Sequence, residues 1–270
     1  MARRSADSAH EFYGRSMDHH THAQPADHDL PRVLDLDAEV FGAGLASALD
    51  LSGLISARVV VDLGAGTGTG SRLLRDRFPE ATITAVDNDP RMLQRLRDEG
   101  FTAVAADLDE GFPELSSGRI DLVWASSSLH HVADPGQLLS DARKALATGG
   151  TLVVVELASL PSFLSEPRQA LLEQRCHAAA DAEGWNRHRD WTTTLEDAGF
   201  VVTKTQLRTT APVTLAAWEN ARQWLRRFQH LETLAGVDRA ALEDLVTAPA
   251  ADLELEPQAH RTVWVCTASR

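Results

Sequence analysis

Cysteine occurs only twice in the 270 residues, at 176 and 266, and never in a CxxC pair. That excludes a disulfide framework or a thiolate zinc site as the basis of the fold. No apolar run approaches the ~20 residues of a membrane span. The first thirty residues lack the apolar core of a secretory signal, so a cytoplasmic protein is expected. Basic residues are outnumbered, 26 Lys and Arg against 39 Asp and Glu, for a net charge of −13. Binding to nucleic acid needs a concentrated basic surface, and this composition argues against it. The two basic runs, Arg91 to Arg97 and Arg222 to Arg227, carry apolar residues at helical spacing and read as solvated helix faces.

What is present is a chain with 43% hydrophobic residues, long enough for one well-buried domain with additions. Residues 1–30 are polar, with histidines at 10, 19, 20, 22 and 28, and read as a flexible arm. Residues 31–270 read as a single domain. Val40, Phe41, Leu45 and Leu49 form one helical stripe ending near Gly53. Apolar strands are predicted over 58–63, 82–86, 102–106, 120–125 and 151–155. Helices are predicted between them over 71–78, from Asp89-Pro90, and over 137–147. Near-continuous apolar strands alternating with helices imply a parallel sheet covered on both faces. Beyond residue 157 the alternation breaks. Helices are predicted over 161–183, 192–198, 215–231 and 238–246, with strands over 200–206 and 262–267. The insertions at 158–198 and 212–250 fall where strand C-termini should lie, the edge at which open α/β sheets bind ligands, and are candidate lids.

The stretch VVDLGAGTGTG, residues 60–70, places Gly64, Gly66 and Gly68 directly after the first strand and before a helix. Glycine allows sharp turns and lets a ligand lie against bare main chain, while a helix start offers unpaired N–H donors. Asp87 ends the second strand, 19 residues after Gly68, where a carboxylate can accept from both hydroxyls of a ribose. Asp107 follows the third strand, placed to accept from an adenine amino group while Leu108 presents its N–H. The dinucleotide fingerprint is GxGxxG, but Thr69 stands where its third glycine belongs and the spacing is GxGxGxG. Alternate glycines make a longer, flatter cradle than a pyrophosphate turn.

VVDLGAGTGTG, AVDNDPRML, AADLDEGFPEL and IDLVWASSSLHHVADPGQLLSDARKALATGGTLVVVE together resemble the successive motifs of class I S-adenosylmethionine-dependent methyltransferases, over about residues 55–157. The resemblance implies a Rossmann-like α/β fold: a seven-stranded, mostly parallel sheet with an antiparallel last strand, helices on both faces and extra helical lid segments. It implies S-adenosylmethionine as cofactor, the glycines 64, 66 and 68 passing its methionine part with Asp62 nearby. Asp87 would hold the ribose, Asp107 and Leu108 the adenine, Ser126 would line the cleft, and Asn88 would also contact the cofactor. Thr148 departs from the family, which often has proline before the paired glycines. The first thirty residues match none of its motifs.

Methyl transfer from a sulfonium is an in-line displacement, and alignment alone can supply as much as roughly 7–11 kcal/mol. A hydroxyl or ammonium acceptor also calls for a base. The candidates are His130 and His131 in SSSLHHV, although either ring could instead cap a helix or pack under the loop. The segment WASSS lacks the Asn/Asp-Pro-Pro-aromatic run of adenine and glutamine amino-methylating enzymes. No cysteine lies near it for cytosine C5 chemistry, and no acid for a metal-assisted catechol site. A small-molecule acceptor methylated on O or N is therefore expected. An idle cofactor-binding regulator and, further off, a nicotinamide oxidoreductase are the rivals.

His19, His20, His22 and His28, with Asp18 and Asp27, invite a metal reading, but without framing elements a polar arm is favoured and no metal site is assigned. Phe12, Tyr13 and these histidines could order over the cofactor. Trp185, His188, Trp191, Trp218 and Trp224 could shape an acceptor pocket or pack in a core. Oligomeric state is not legible.

Overall fold

A computed structural model describes residues 30–115, 118–185, 189–249 and 253–268. The candidate arm with its histidines, Phe12 and Tyr13, together with His188, lies outside these residues. Helix α1 (Leu30–Asp50) precedes β1 (Val59–Leu63), α2 (Thr69–Arg77), β2 (Thr82–Asp87), α3 (Pro90–Asp98), β3 (Thr102–Ala105) and β4 (Ile120–Ser126). Then come α4 (Pro135–Ala145), β5 (Leu146–Leu157), β6 (Ser162–Leu164), α5 (Pro167–Ala182), α6 (Thr192–Asp197) and β7 (Phe200–Thr210). The described chain closes with α7 (Leu215–Phe228), α8 (Gly236–Thr247) and β8 (Leu255–Ala268).

The strands form one sheet in the order β3-β2-β1-β4-β5-β8-β6, with β7 on the other side of β8. Strands β1 to β5 pair in parallel, and β8 runs antiparallel to β5, β6 and β7. The expected α/β class and antiparallel last strand are both present. The sheet has eight strands rather than seven because β6 pairs with the start of β8, inside a stretch expected to be helical from residue 161. Two contacts explain the difference. The buried Glu173 carboxylate accepts from the Phe163 and Leu164 amides, and Pro167 opens α5 only after Glu166 has capped it. Strand β7 reaches Thr210, well past the predicted end, because its full length pairs with β8 while polar residues such as Lys204 and Arg208 interrupt its apolar run.

Period-two alternation sends successive side chains to opposite faces. Val60, Ala85, Trp124 and Val153 face a core filled by Leu45 of α1, Leu74 of α2 and Leu96 of α3. Val61, Val86, Val123 and Val154 face a second core with Leu138 and Leu139 of α4 and Leu195 of α6. A third core joins α1, β6, α5, α7 and α8 through Phe41, Phe163, Leu172 and Phe228. Because β5 and β7 both end at the C-terminal edge of the sheet, α5 and the α7–α8 pair leave and return from that edge as a helical cap.

Candidate active site at the carboxyl edge of the sheet

The glycine loop after β1 is built by backbone geometry. Gly64, Gly66 and Gly68 have φ of 67°, 51° and 87°, the left-handed region that side chains disfavour. A Cβ on Gly64 would lie 2.5 Å from Ser128 Cβ, so the loops after β1 and β4 are in direct contact there. A Cβ on Gly66 would meet nothing within 4 Å, so this bare main chain faces open space.

Asp62 is 2% exposed and sits behind the loop, where Oδ2 accepts from Ser71 Oγ at 2.7 Å. Burial pushes its carboxyl up to about 6, against the Ser71 hydrogen bond and with help from the Asp87 charge. Asp87 is half-buried, and each of its oxygens is engaged: Oδ2 accepts from the Gly66 amide at 2.8 Å and Oδ1 from the Asp89 amide at 2.9 Å. Each oxygen has a second lone pair, so the carboxylate can brace the loop and still accept from a ligand. Asn88 beside it is exposed. Asp107 caps the turn at Leu108–Glu110 by accepting from Asp109 N and stands exposed on the rim, with Leu108 half-buried. Asp109 in turn accepts from Ala133 N at 2.7 Å, linking the loops after β3 and β4.

Ser126 is half-buried at the end of β4. Ser127 follows with φ 53°, a conformation uncommon outside glycine, and donates its N–H to Val155 O at 2.8 Å. Ser128 Oγ is buried without a hydrogen-bond partner. His130 and His131 come next, ring centroids 4.0 Å apart. His130 Nδ1 lies 2.8 Å from Oε2 of Glu156, while Glu156 Oε1 accepts from Leu129 N at 3.0 Å. Loss of hydration on its inner side, then the adjacent His130, hold the His131 imidazole below the usual histidine range.

The structure thus gathers Gly64, Gly66, Gly68, Asp87, Asn88, Asp107, Leu108, Ser126, His130 and His131 along one edge. It adds Glu156, which no motif in the sequence marks. Its only signal is an acid closing the apolar run TLVVV, where a buried strand end needs a reason for a charge. The tryptophans resolve toward packing. Trp191 is buried under α6 in the second core, and Trp224 and Trp218 belong to the cap core. Trp185 stacks on Phe228 at 6.1 Å, and the Arg227 guanidinium lies between it and Trp224. Among the described residues no cluster of His, Cys, Asp and Glu could hold a metal ion, and no helix is long and apolar enough to cross a membrane.

A parallel sheet whose loops present bare glycine main chain, then an acid after each of the next two strands, defines a nucleoside-binding α/β protein. Comparison with known proteins narrows that class. A family model described as a methyltransferase domain matches residues 61–152. The trans-aconitate 2-methyltransferase of Klebsiella pneumoniae is 32% identical over 198 residues, covering 70% of this chain and 73% of that protein. The malonyl-[acyl-carrier protein] O-methyltransferase of Laribacter hongkongensis is 37% identical over 139 residues, covering 47% of this chain and 45% of that protein. The chain spans about half the length of most of the curated relatives it matches. The solved structure of geranyl diphosphate methyltransferase in complex with SAM shares the fold, with a TM-score of 0.50 at 14% identity over 93% of this chain and 95% of that one. The chain belongs to the S-adenosylmethionine-dependent methyltransferases of class I.

Proposed function

We propose that this protein transfers a methyl group from S-adenosylmethionine to an oxygen or nitrogen of a small metabolite. The observation that carries the proposal is the pairing of Gly66 N with Asp87 Oδ2, which ties the open glycine cradle to the acid beside it. The residues fit the cofactor. Bare main chain at 64–68 suits its methionine part, and Asp87 with Asn88 suits its ribose. Asp107 and the Leu108 amide suit its adenine, and Ser126 and the orphaned Ser128 hydroxyl suit the cleft. Asp62 acts through the start of α2, where it holds Ser71, because its carboxylate is buried.

When bound, the cofactor supplies an electrophilic methyl on a sulfonium. This chain's own residues must then exclude water, orient the acceptor and take up any proton it loses. His130 and His131 are the groups placed for the last task, at the end of β4 beside the cradle. A cavity of about 240 Å³ lies under α5, lined by Ser159, Ser162, Glu173, Gln174, His177 and His260. It begins three residues beyond Glu156 and lies below the few hundred cubic ångströms of a drug-sized site, which suits a small polar acceptor. The trans-aconitate in the name of the Klebsiella relative is likewise a small polar metabolite, although it offers carboxylates rather than a hydroxyl or an ammonium. Two buried unpaired thiols suit a reducing compartment, and the cytoplasm is the one proposed.

Calorimetry with S-adenosylhomocysteine tests the cofactor assignment, and incubation with methyl-labelled S-adenosylmethionine and a metabolite extract tests the transfer. Tight binding followed by label in a small product is expected. Binding with no label in any acceptor would show the idle cofactor-binding regulator instead.

A further inference from the structure

Glu156 has a role that rests on the methyl-transfer proposal and sharpens it. It is the penultimate residue of β5, it is 6% exposed, and its two oxygens hold one turn of the neighbouring loop by two different groups. Oε1 takes the Leu129 amide at 3.0 Å and Oε2 takes His130 Nδ1 at 2.8 Å. A carboxylate can only accept, so in the neutral imidazole the hydrogen sits on Nδ1 and the lone pair on Nε2. The His130 side chain is 26% exposed against 8% for Glu156, so the ring emerges from its buried holder toward the rim. His131 has no such holder among the described residues.

We propose that Glu156 is a positioning residue that fixes His130 as the Nδ1–H tautomer, which makes Nε2 of His130, and not His131, the proton acceptor. The methyl acceptor is accordingly a group that arrives carrying a proton, a hydroxyl or an ammonium, rather than a carboxylate. A carboxylate, with a pKa near ~4, is already ionised at neutral pH and needs no base, whereas a hydroxyl or ammonium does. As the acceptor's O or N bonds to the methyl carbon, the carbon–sulfur bond breaks with its electron pair left on sulfur. The acceptor's proton passes to His130 Nε2, before attack in the case of an ammonium, whose nitrogen has no lone pair until then, and as the new bond forms in the case of a hydroxyl.

The first test reads the ring directly. In protein labelled with ¹⁵N-histidine and saturated with S-adenosylhomocysteine, His130 should show the Nδ1–H tautomer. In Glu156→Gln it should shift toward a mixture, with affinity for S-adenosylhomocysteine unchanged within about twofold. A wild-type ring protonated on Nε2, or a tautomer unmoved by the substitution, overturns the proposal. The second test offers methyl-labelled cofactor with ethanolamine or trans-aconitate as probes. Wild type should label ethanolamine, and that transfer should fall by about 10²–10⁴ in His130→Ala; wild type that labels trans-aconitate and not ethanolamine, or neither, overturns the proposal. Equal labelling of trans-aconitate by wild type and His130→Ala overturns the proposal. Failure of the wild type to bind S-adenosylhomocysteine removes the methyltransferase proposal itself, whereas binding with the wrong tautomer removes only the role of Glu156.

Discussion

At the scale of single residues the edge is held by carboxylates that each serve two partners. Asp87 bonds the Gly66 and Asp89 amides, and Glu156 bonds the Leu129 amide and the His130 ring. Replacing Asp87 by Ala removes the brace of the cradle together with the proposed ribose partner. A charge-assisted hydrogen bond contributes about 1.5–3 kcal/mol, so affinity for S-adenosylhomocysteine should fall by roughly 10- to 150-fold. Calorimetry checks this, and an unchanged dissociation constant would mean the acid is misassigned. Both Gly64–Gly68 and Asp87 were legible from the sequence, because spacing after a strand fixes where a loop residue emerges. Glu156 was not legible in that way. Its meaning depends on which side chain of a non-adjacent loop comes to meet it.

At the scale of elements the decisive piece is β6 with α5. Three residues make a strand because Glu173, one helix away, supplies acceptors for two amides that would otherwise be buried without partners. The replacement Glu173→Ala should orphan both. The cost of unmet buried donors, about 1–3 kcal/mol each, is partly offset by removing a desolvated acid, leaving a net loss of about 2 kcal/mol. Amide exchange should accelerate at Phe163 and Leu164 before it does in β1 or β4, and uniform protection in the variant would count against this account. A local apolar pattern could not foretell the strand, since residues 162–164 carry no alternation long enough to distinguish strand from helix.

At the scale of the whole molecule, three acids held out of water, Asp37, Asp62 and Glu173, tie stability to pH. Asp62 is pushed up to about 6 and Glu173 to about 7, in both cases chiefly by burial. Between the ordinary carboxylate value and these raised ones, the folded chain holds protons that the unfolded chain has released. Stability from these groups is therefore fully present near pH 4 and is lost as pH rises toward 7. His131 is shifted down and works in the opposite sense just below the usual histidine value, but it is the more exposed group. Urea denaturation of the cofactor-free protein should show unfolding free energy falling between about pH 4 and 7, by up to roughly 3 kcal/mol per buried acid. Asp62→Asn should flatten part of that slope, and an identical profile would refute the assignment to Asp62.

The sequence alone determined the alternating core from residue 59 to 157, the glycine cradle and the acids at 87 and 107. These follow from local rules: side-chain period, turn chemistry and the fixed distance from a strand end to its loop. Only the tertiary structure decided that α1 joins α5, α7 and α8 in a separate apolar core, that β6 exists, and that Glu156 reaches His130. Those outcomes hang on contacts between residues far apart in the chain, where burial and hydrogen-bond satisfaction choose among partners that no local pattern names.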